Sequence, residues 1–292
     1  MNQISKLVLI ILFLLIMSIT LFAEEIRPYI LGSISKGSVD EQVEKVSQIL
    51  NDNNFEIVGK YNVNDNTIIL IFTNEEIKLN AANSEFGGYG ALLRISVTNV
   101  NEEIQIAYTN PKYITNVYRM NDNLDSVSDK LIAIIGNEKK FGAKKGNSAE
   151  KLRKYHYKAM MPYFDDQTVL AEYKSHEDAM EAINAGFNKN STLVEKIYEV
   201  NIPGKDEIVF GVAIKEGSGA DQRILDNCDK EELKQTCYLP YEILLSGNTV
   251  YAMEGKYRIA ISFPDLSMGT FMKISTAPGA ITKALKKVAK NE

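Results

Sequence analysis

The side chains best suited to chemistry converge on one stretch, "YHYKAMMPYFDD", residues 155–166. It holds His156, one of only two histidines in the chain, with Met160, Met161, Asp165 and Asp166. Imidazole and thioether are soft ligands that suit copper, whereas carboxylates suit harder ions. A specific metal motif fixes several ligands at set spacings, as HExxH does, and no such pattern is present here. His156 with Met160 and Met161 therefore defines a transition-metal alternative, beside the plainer reading of a hydrogen-bonded interfacial histidine. Adjacent Asp165 and Asp166 would point to opposite faces of a strand, so they fit a turn or a helix cap better than an acid–base pair. His176, just before "EDAMEAI", fits a solvent-facing helix start.

Other chemistry-bearing residues lie near the same junction. "NPKYITNVYRM" (110–120) follows a predicted strand and brings Tyr113, Tyr118 and Arg119 together. Aromatic, amide and guanidinium groups after a strand end can orient a small ligand. With Arg94, Tyr155 and His156 they make the candidate ligand site, against the alternative of tyrosines packed under a loop. Gly87, Gly88 and Gly90 precede a strand-like run, so they read as a turn entering a sheet and not as a dinucleotide loop. No GxSxG or SxxK accompanies a placed base, which leaves nucleophilic hydrolysis unsupported. Cys228 and Cys237 could close a small disulfide loop in an oxidising compartment. With no CxxC, thioredoxin-like chemistry has no support.

The elements that must position these residues come as two similar series. The first half reads as a strand (29–35), a helix (38–52), strands at 55–63 and 66–74, a hairpin (87–100 with 102–111) and a helix (122–136). Ser38 and Glu41 form a capping box for the first helix, and Val39, Val43, Val46 and Leu50 fall at helical spacing. The second half repeats the order: strand 167–175, helix 176–189, strands 193–202 and 207–216, helix 220–236, hairpin 239–247 with 256–264, and helix 279–290. Ile106-Ala107 and Pro111 recur as Ile259-Ala260 and Pro264, at an offset of 153. "KYNV" (60–63) recurs as "IYEV" (197–200). We read a tandem duplication of one β-α-β-β-α-β-β-α unit, an α+β fold of mainly antiparallel sheets with helices on one face. The domains are 24–138 and 167–292. Related domains in one chain commonly pack as an isologous pair does, which predicts a monomer carrying an internal pseudo-dimer.

The element order and "CYLPYEILL…KYRIAISFPDLSMGTFM" (237–272) resemble a small bacterial family, the domain of unknown function 302. Leu239-Pro240 match the start of that family's first motif. Tyr241 stands where the family has cysteine, and Phe263-Pro264 replaces its "DP". The first half, over 72–120, looks like a diverged version. The resemblance implies the α+β fold and brings no activity with it.

Between the halves, residues 139–166 form a connector with eight basic side chains against three acidic ones, in a chain of net charge −5. Tyr155, Tyr157, Tyr163 and Phe164 are not linker residues, so this connector should pack in the seam, where its charge would suit an anionic ligand or headgroup. A mildly acidic chain is a poor nucleic-acid binder. At the N-terminus, Lys6, an apolar run from Leu7 to Phe22 and Ala23 before two glutamates mark a secretory signal peptide. Cleavage near Ala23 would deliver a periplasmic or otherwise exported protein, touching the membrane only through an uncleaved leader. The absence of a complete catalytic set favours a binding or interaction module for a small ligand or envelope protein, with no cofactor. The alternative is a periplasmic metal- or redox-dependent enzyme centred on His156 and Met160, and a third reading is an envelope assembly protein whose partner surface is the basic seam.

Overall fold

The computed structural model describes residues 24–158 and 161–292. The expected leader (1–23) and Met160 lie outside the described residues. The first half runs β1 (Tyr29–Ser35), α1 (Val39–Asp52), β2 (Glu56–Asn64), β3 (Thr67–Thr73), α2 (Glu75–Ala82), a 3₁₀ turn (Gly87–Gly90), β4 (Leu93–Val100), β5 (Glu103–Thr109), α3 (Pro111–Val117) and α4 (Asp125–Ile135). A short β6 (Lys139–Phe141) and α5 (Ala149–Arg153) follow. The second half runs β7 (Thr168–Glu172), α6 (His176–Lys189), β8 (Val194–Asn201), β9 (Glu207–Ile214), α7 (Asp221–Cys228), a 3₁₀ turn (Thr236–Tyr238), β10 (Tyr241–Ser246) and β11 (Thr249–Ala252). Helices α8 (Gly255–Ser262), α9 (Met268–Lys273) and α10 (Ala277–Lys290) close it.

The fold is α+β, with two antiparallel sheets ordered β2-β3-β4-β5-β1-β6 and β8-β9-β10-β11-β7. Matched strand by strand, the two orders are the same, with β6 as an addition to the first sheet. The irregularities match too. A bulge falls between Ile57 and Gly59 in β2, and another between Lys196 and Tyr198 in the corresponding β8. A bulge also sits between Leu31 and Ser33 in β1, and its β7 counterpart lies beside Val250 and Tyr251. Shared bulges fix one register for both halves and support the duplication.

That register corrects the sequence alignment at two points. It sets Lys60 against Glu199, where "KYNV" against "IYEV" had set it against Ile197. It also makes β11, and not residues 256–264, the partner of β10 and the counterpart of β5. Residues 256–264, expected as a strand, are mostly helix α8. The Glu254 carboxylate accepts the Lys256 and Tyr257 N–H groups at its start. Every residue of α8 except Lys256 is buried, so the helix has no polar face, and an all-apolar helix reads like a central strand. The helix expected over 220–236 stops at Cys228, because Asp229 accepts the Gln235 N–H and the Thr236 hydroxyl and folds 229–236 into a loop.

Alternation along each strand divides the first sheet between two cores. Ile68, Leu70, Phe72, Ile95 and Val97 join the buried faces of α1 and α4. Ile69, Ile71 and Ala107 face inward and share one core with the second half. Helix α1 forms as expected: Ser38 caps the Glu41 N–H at 3.2 Å, and Val39, Val43, Val46 and Leu50 are buried. In the second half, α6 lays Phe187 against Phe210 of β9, ring centroids 6.2 Å apart. The halves also meet edge to edge, since a Cβ at Gly59 of β2 would lie 2.8 Å from the Ile197 carbonyl oxygen of β8. Only glycine allows that approach.

Candidate functional site

The seam is held by reciprocal contacts. Helices α3 and α8 occupy equivalent places, each directly after one of the equivalent strands β5 and β11 and each capped by the side chain just before it, Asn110 or Glu254. Tyr113 of α3 donates its hydroxyl to the Ile261 carbonyl at 2.8 Å, and the equivalent Tyr257 of α8 donates to the equivalent Val117 carbonyl at 2.6 Å. The Gly88 N–H in the first 3₁₀ turn donates to Glu207 of β9 at 2.8 Å. The two tyrosine bonds are the exchanged contacts of an isologous pair, written within one chain.

Arg94 and Glu242 mark the middle of this arrangement. Arg94 pairs with Ile71 in the first sheet, and Glu242 with Gly211 at the matching place in the second. The two equivalent residues meet in an ion pair, each with its side chain 1% exposed. Arg258 of α8 reaches the same carboxylate from the other side at 3.1 Å, donates to Ser262 Oγ at 2.7 Å, and donates to the Tyr238 carbonyl. Two guanidiniums thus share one carboxylate. Burial, the largest single influence, would lower the pKa of each arginine, but the Glu242 charge together with the neighbouring tyrosines holds both above the ordinary value.

Three of the sequence-predicted site residues are brought together here. Arg94, Tyr113 and Tyr118 line one cavity with Tyr29, Tyr238 and Arg258, and its volume is about 10 Å³. That space suits one water-sized occupant, so this is not the small-molecule site the sequence suggested. Arg119 lies outside it: its Nε donates to the Arg153 carbonyl at 2.9 Å and its guanidinium pairs with exposed Asp165 at 2.9 Å. It clamps the connector to the first half. Tyr155 donates to the Ala260 carbonyl at 3.0 Å, and Phe164 stacks on Tyr118 at 5.6 Å, so the connector packs in the seam as its aromatic content predicted.

His156 is separate from the Arg94 group. Its ring stacks on Tyr163 at 4.4 Å and lines a surface recess with Met161, Asp166 and Glu254. Asp166 accepts the Tyr163 N–H in a turn, and Glu254 caps α8. Among the described residues no three His, Cys, Asp or Glu side chains stand close enough to hold a metal ion. His176 begins α6 with its Nδ1 2.7 Å from the Gly247 carbonyl oxygen. The expected disulfide is not formed. Cys228 and Cys237 are free buried thiols, one at the end of α7 and the other inside the second 3₁₀ turn. Burial pushes both thiol pKa values up to about 12.

The roomy opening is elsewhere on the seam, a cleft of about 640 Å³. Arg27 and Lys139, Lys140 and Lys144 line it from the first half and the connector, and Lys230, Glu231, Glu232, Phe263 and Leu266 from the second. The connector reaches this position because Lys139–Phe141 add to β1 as an edge strand, Tyr29 opposite Phe141. The connector therefore begins as part of the first sheet. Lys140 is paired with Glu24 at 2.8 Å and Arg27 with Glu25 at 2.9 Å. Among the described residues, Lys139 and Lys144 have no acidic side chain in salt-bridge range.

Sequence reasoning missed Glu242, Arg258 and Asp221. The first two carried a signal: a single charge inside each of the apolar runs "YEILL" and "YRIAI", of opposite sign. Asp221 adds a further buried carboxyl group to the seam. At 1% exposure, it accepts the Tyr61 hydroxyl of β2 at 2.7 Å and the Ile214 N–H at 3.0 Å. Burial pushes its pKa up to about 7, against those two hydrogen bonds. Among the described residues no helix is long and apolar enough to cross a membrane. No known family's model matches the chain, and no curated protein or solved structure shows significant similarity to it.

Proposed function

We propose that the chain is an exported, non-enzymatic binding module that takes a charged small ligand in the cleft between its halves. The observation that carries this reading is the origin of the cleft wall. A basic segment that could have been a free linker is instead fixed to β1, and it turns unpaired Lys139 and Lys144 toward a space of about 640 Å³. That volume lies within the ordinary range for small-molecule sites. The lysines suit an anionic group on the ligand, while Glu231 and Glu232 suit a cationic one, so a zwitterionic, peptide-like molecule fits both sides. The side chains at the cleft support binding over catalysis. Neither histidine lines it, and its one thiol, Cys228, is held protonated by a pKa near 12.

Native mass spectrometry of the protein from its own envelope fraction tests this. The expected result is a non-covalent adduct that is lost on denaturation, and lost as well in the Lys139→Gln/Lys144→Gln variant while the fold is kept. A bare native mass for the unaltered protein, or an adduct indifferent to that double substitution, overturns the reading.

A further inference from the structure

The 10 Å³ cavity beside Arg94 is built of unusual material. Its walls include Arg94, Tyr118, Tyr238 and Arg258, none more than 4% exposed. Arg94 Nε and Tyr118 Oη have no hydrogen-bond partner among the described residues, whereas the Tyr238 hydroxyl has the Tyr241 hydroxyl beside it. The neighbouring hydroxyls are already committed: Tyr29 donates to the Ser262 carbonyl at 2.9 Å, and Tyr113 to the Ile261 carbonyl. Leaving such groups buried and unpaired is unfavourable, and more so for charged ones. One occupant that satisfies them together removes that penalty.

The chemistry of the wall selects the occupant. An arginine Nε–H can only donate, and a phenol hydroxyl readily does so. The surrounding charge is positive, since Arg94 and Arg258 share the single Glu242 carboxylate. A water there could accept from both donors, but it would bring two hydrogens of its own to place and leave the second guanidinium without a counter-charge. A monatomic anion accepts from every side and neutralises the second guanidinium. We propose that this cavity is a buried halide site, filled by chloride under ordinary conditions and bonded by Arg94 Nε and Tyr118 Oη, with Tyr238 and Arg258 completing its wall. The ion would tie the halves together, because Arg94 and Tyr118 belong to the first half and Tyr238 and Arg258 to the second. This site is independent of the open cleft and of any ligand held there.

The test compares urea unfolding, followed by circular dichroism, in sodium chloride and in sodium gluconate at matched ionic strength. A ligand that binds only the folded state raises stability saturably with its concentration, so the midpoint should climb with chloride and level off, and stay flat in gluconate. Tyr118→Phe removes one donor without changing charge. It should weaken the half-saturating chloride concentration roughly tenfold, the worth of one hydrogen bond to a charge. Crystals grown in bromide should show an anomalous peak within hydrogen-bonding range of Arg94 Nε. Equal midpoints in the two salts, a chloride effect unchanged by Tyr118→Phe, or a bromide-free cavity each overturn the site. Should the variant fail to fold, the salt series and the bromide crystals on the unaltered protein still decide it.

Discussion

Asp221→Asn should flatten much of the pH dependence of this protein's stability. The carboxyl group is 1% exposed, and burial has raised its pKa from 3.8 to about 7 despite the hydrogen bonds from Tyr61 and Ile214. An acid with a raised pKa holds its proton more tightly in the folded chain than in the unfolded one. Its contribution to stability is therefore fully present below about pH 4 and is lost as pH rises toward 7. At 1.36 kcal/mol per pKa unit, the loss across that window is as much as ~4 kcal/mol. Asparagine resembles the protonated acid: its oxygen can keep the Tyr61 and Ile214 bonds, and its amide replaces Oδ1, which has no partner among the described residues. Between pH 5 and pH 8 the stability of the variant relative to the parent, read by urea unfolding, should rise by ~3 kcal/mol, part of the loss having already occurred by pH 5. At the higher pH the variant should be the more stable by a few kcal/mol. Asp229, with a pKa raised by burial to about 6, adds a slope of the same sign in both proteins and cancels in the comparison. A variant-to-parent difference that stays constant from pH 5 to pH 8 would refute the reasoning.

Removing the shared carboxylate should be far more damaging than removing a neutral seam contact. Glu242→Gln leaves two buried guanidiniums without their counter-charge, and breaking such a pair costs about 3–5 kcal/mol, read as a drop in the urea midpoint. Tyr113→Phe and Tyr257→Phe each delete one of the reciprocal bonds; each should cost about 1 kcal/mol, with the two losses alike because their settings are equivalent. The free thiols should resist alkylation at pH 8 in the folded protein and react fast in urea. In a mass-spectrometric time course Cys228, which lines the cleft, should modify before Cys237, which is fully buried.

What could be read from the sequence divides along a physical line. Helices with one wet face announced themselves: α1 fell where its 3.6-residue pattern and Ser38 cap put it, and α6 spans the expected 176–189. Helix α8 did not, because burial on every side erases the polar face that makes a period visible. Helix α3 was read as loop, although Asn110 before Pro111 is a helix-start signal. The site divides in the same way. Arg94, Tyr113 and Tyr118 line one buried cavity at the junction, while Arg119, from the same segment as the two tyrosines, and His156 of the connector turn toward other partners. Arg258 and Asp221 lie far along the chain from Arg94. Only the exchange of contacts between the halves brings them to one seam, and a single sequence carries no record of that exchange.

The two proposed sites lie where the internal symmetry fails, and duplication explains why that is possible. In a dimer of identical subunits, the position held by Arg94 would face its own copy across the axis, so a charge there would meet a like charge. Fused in one chain, the two copies are free to differ, and here they hold Arg94 and Glu242, which attract. The third member, Arg258, stands at the α8 position matched in α3 by Ile114, so the surplus positive charge exists on one side only. The cleft depends on a second asymmetry: β6 extends the first sheet beyond β1, and in the second sheet β7 is the last strand. The proposed binding chemistry rests on what the halves do not share, while the shared contacts, Tyr113 with Ile261 and Tyr257 with Val117, hold them in register.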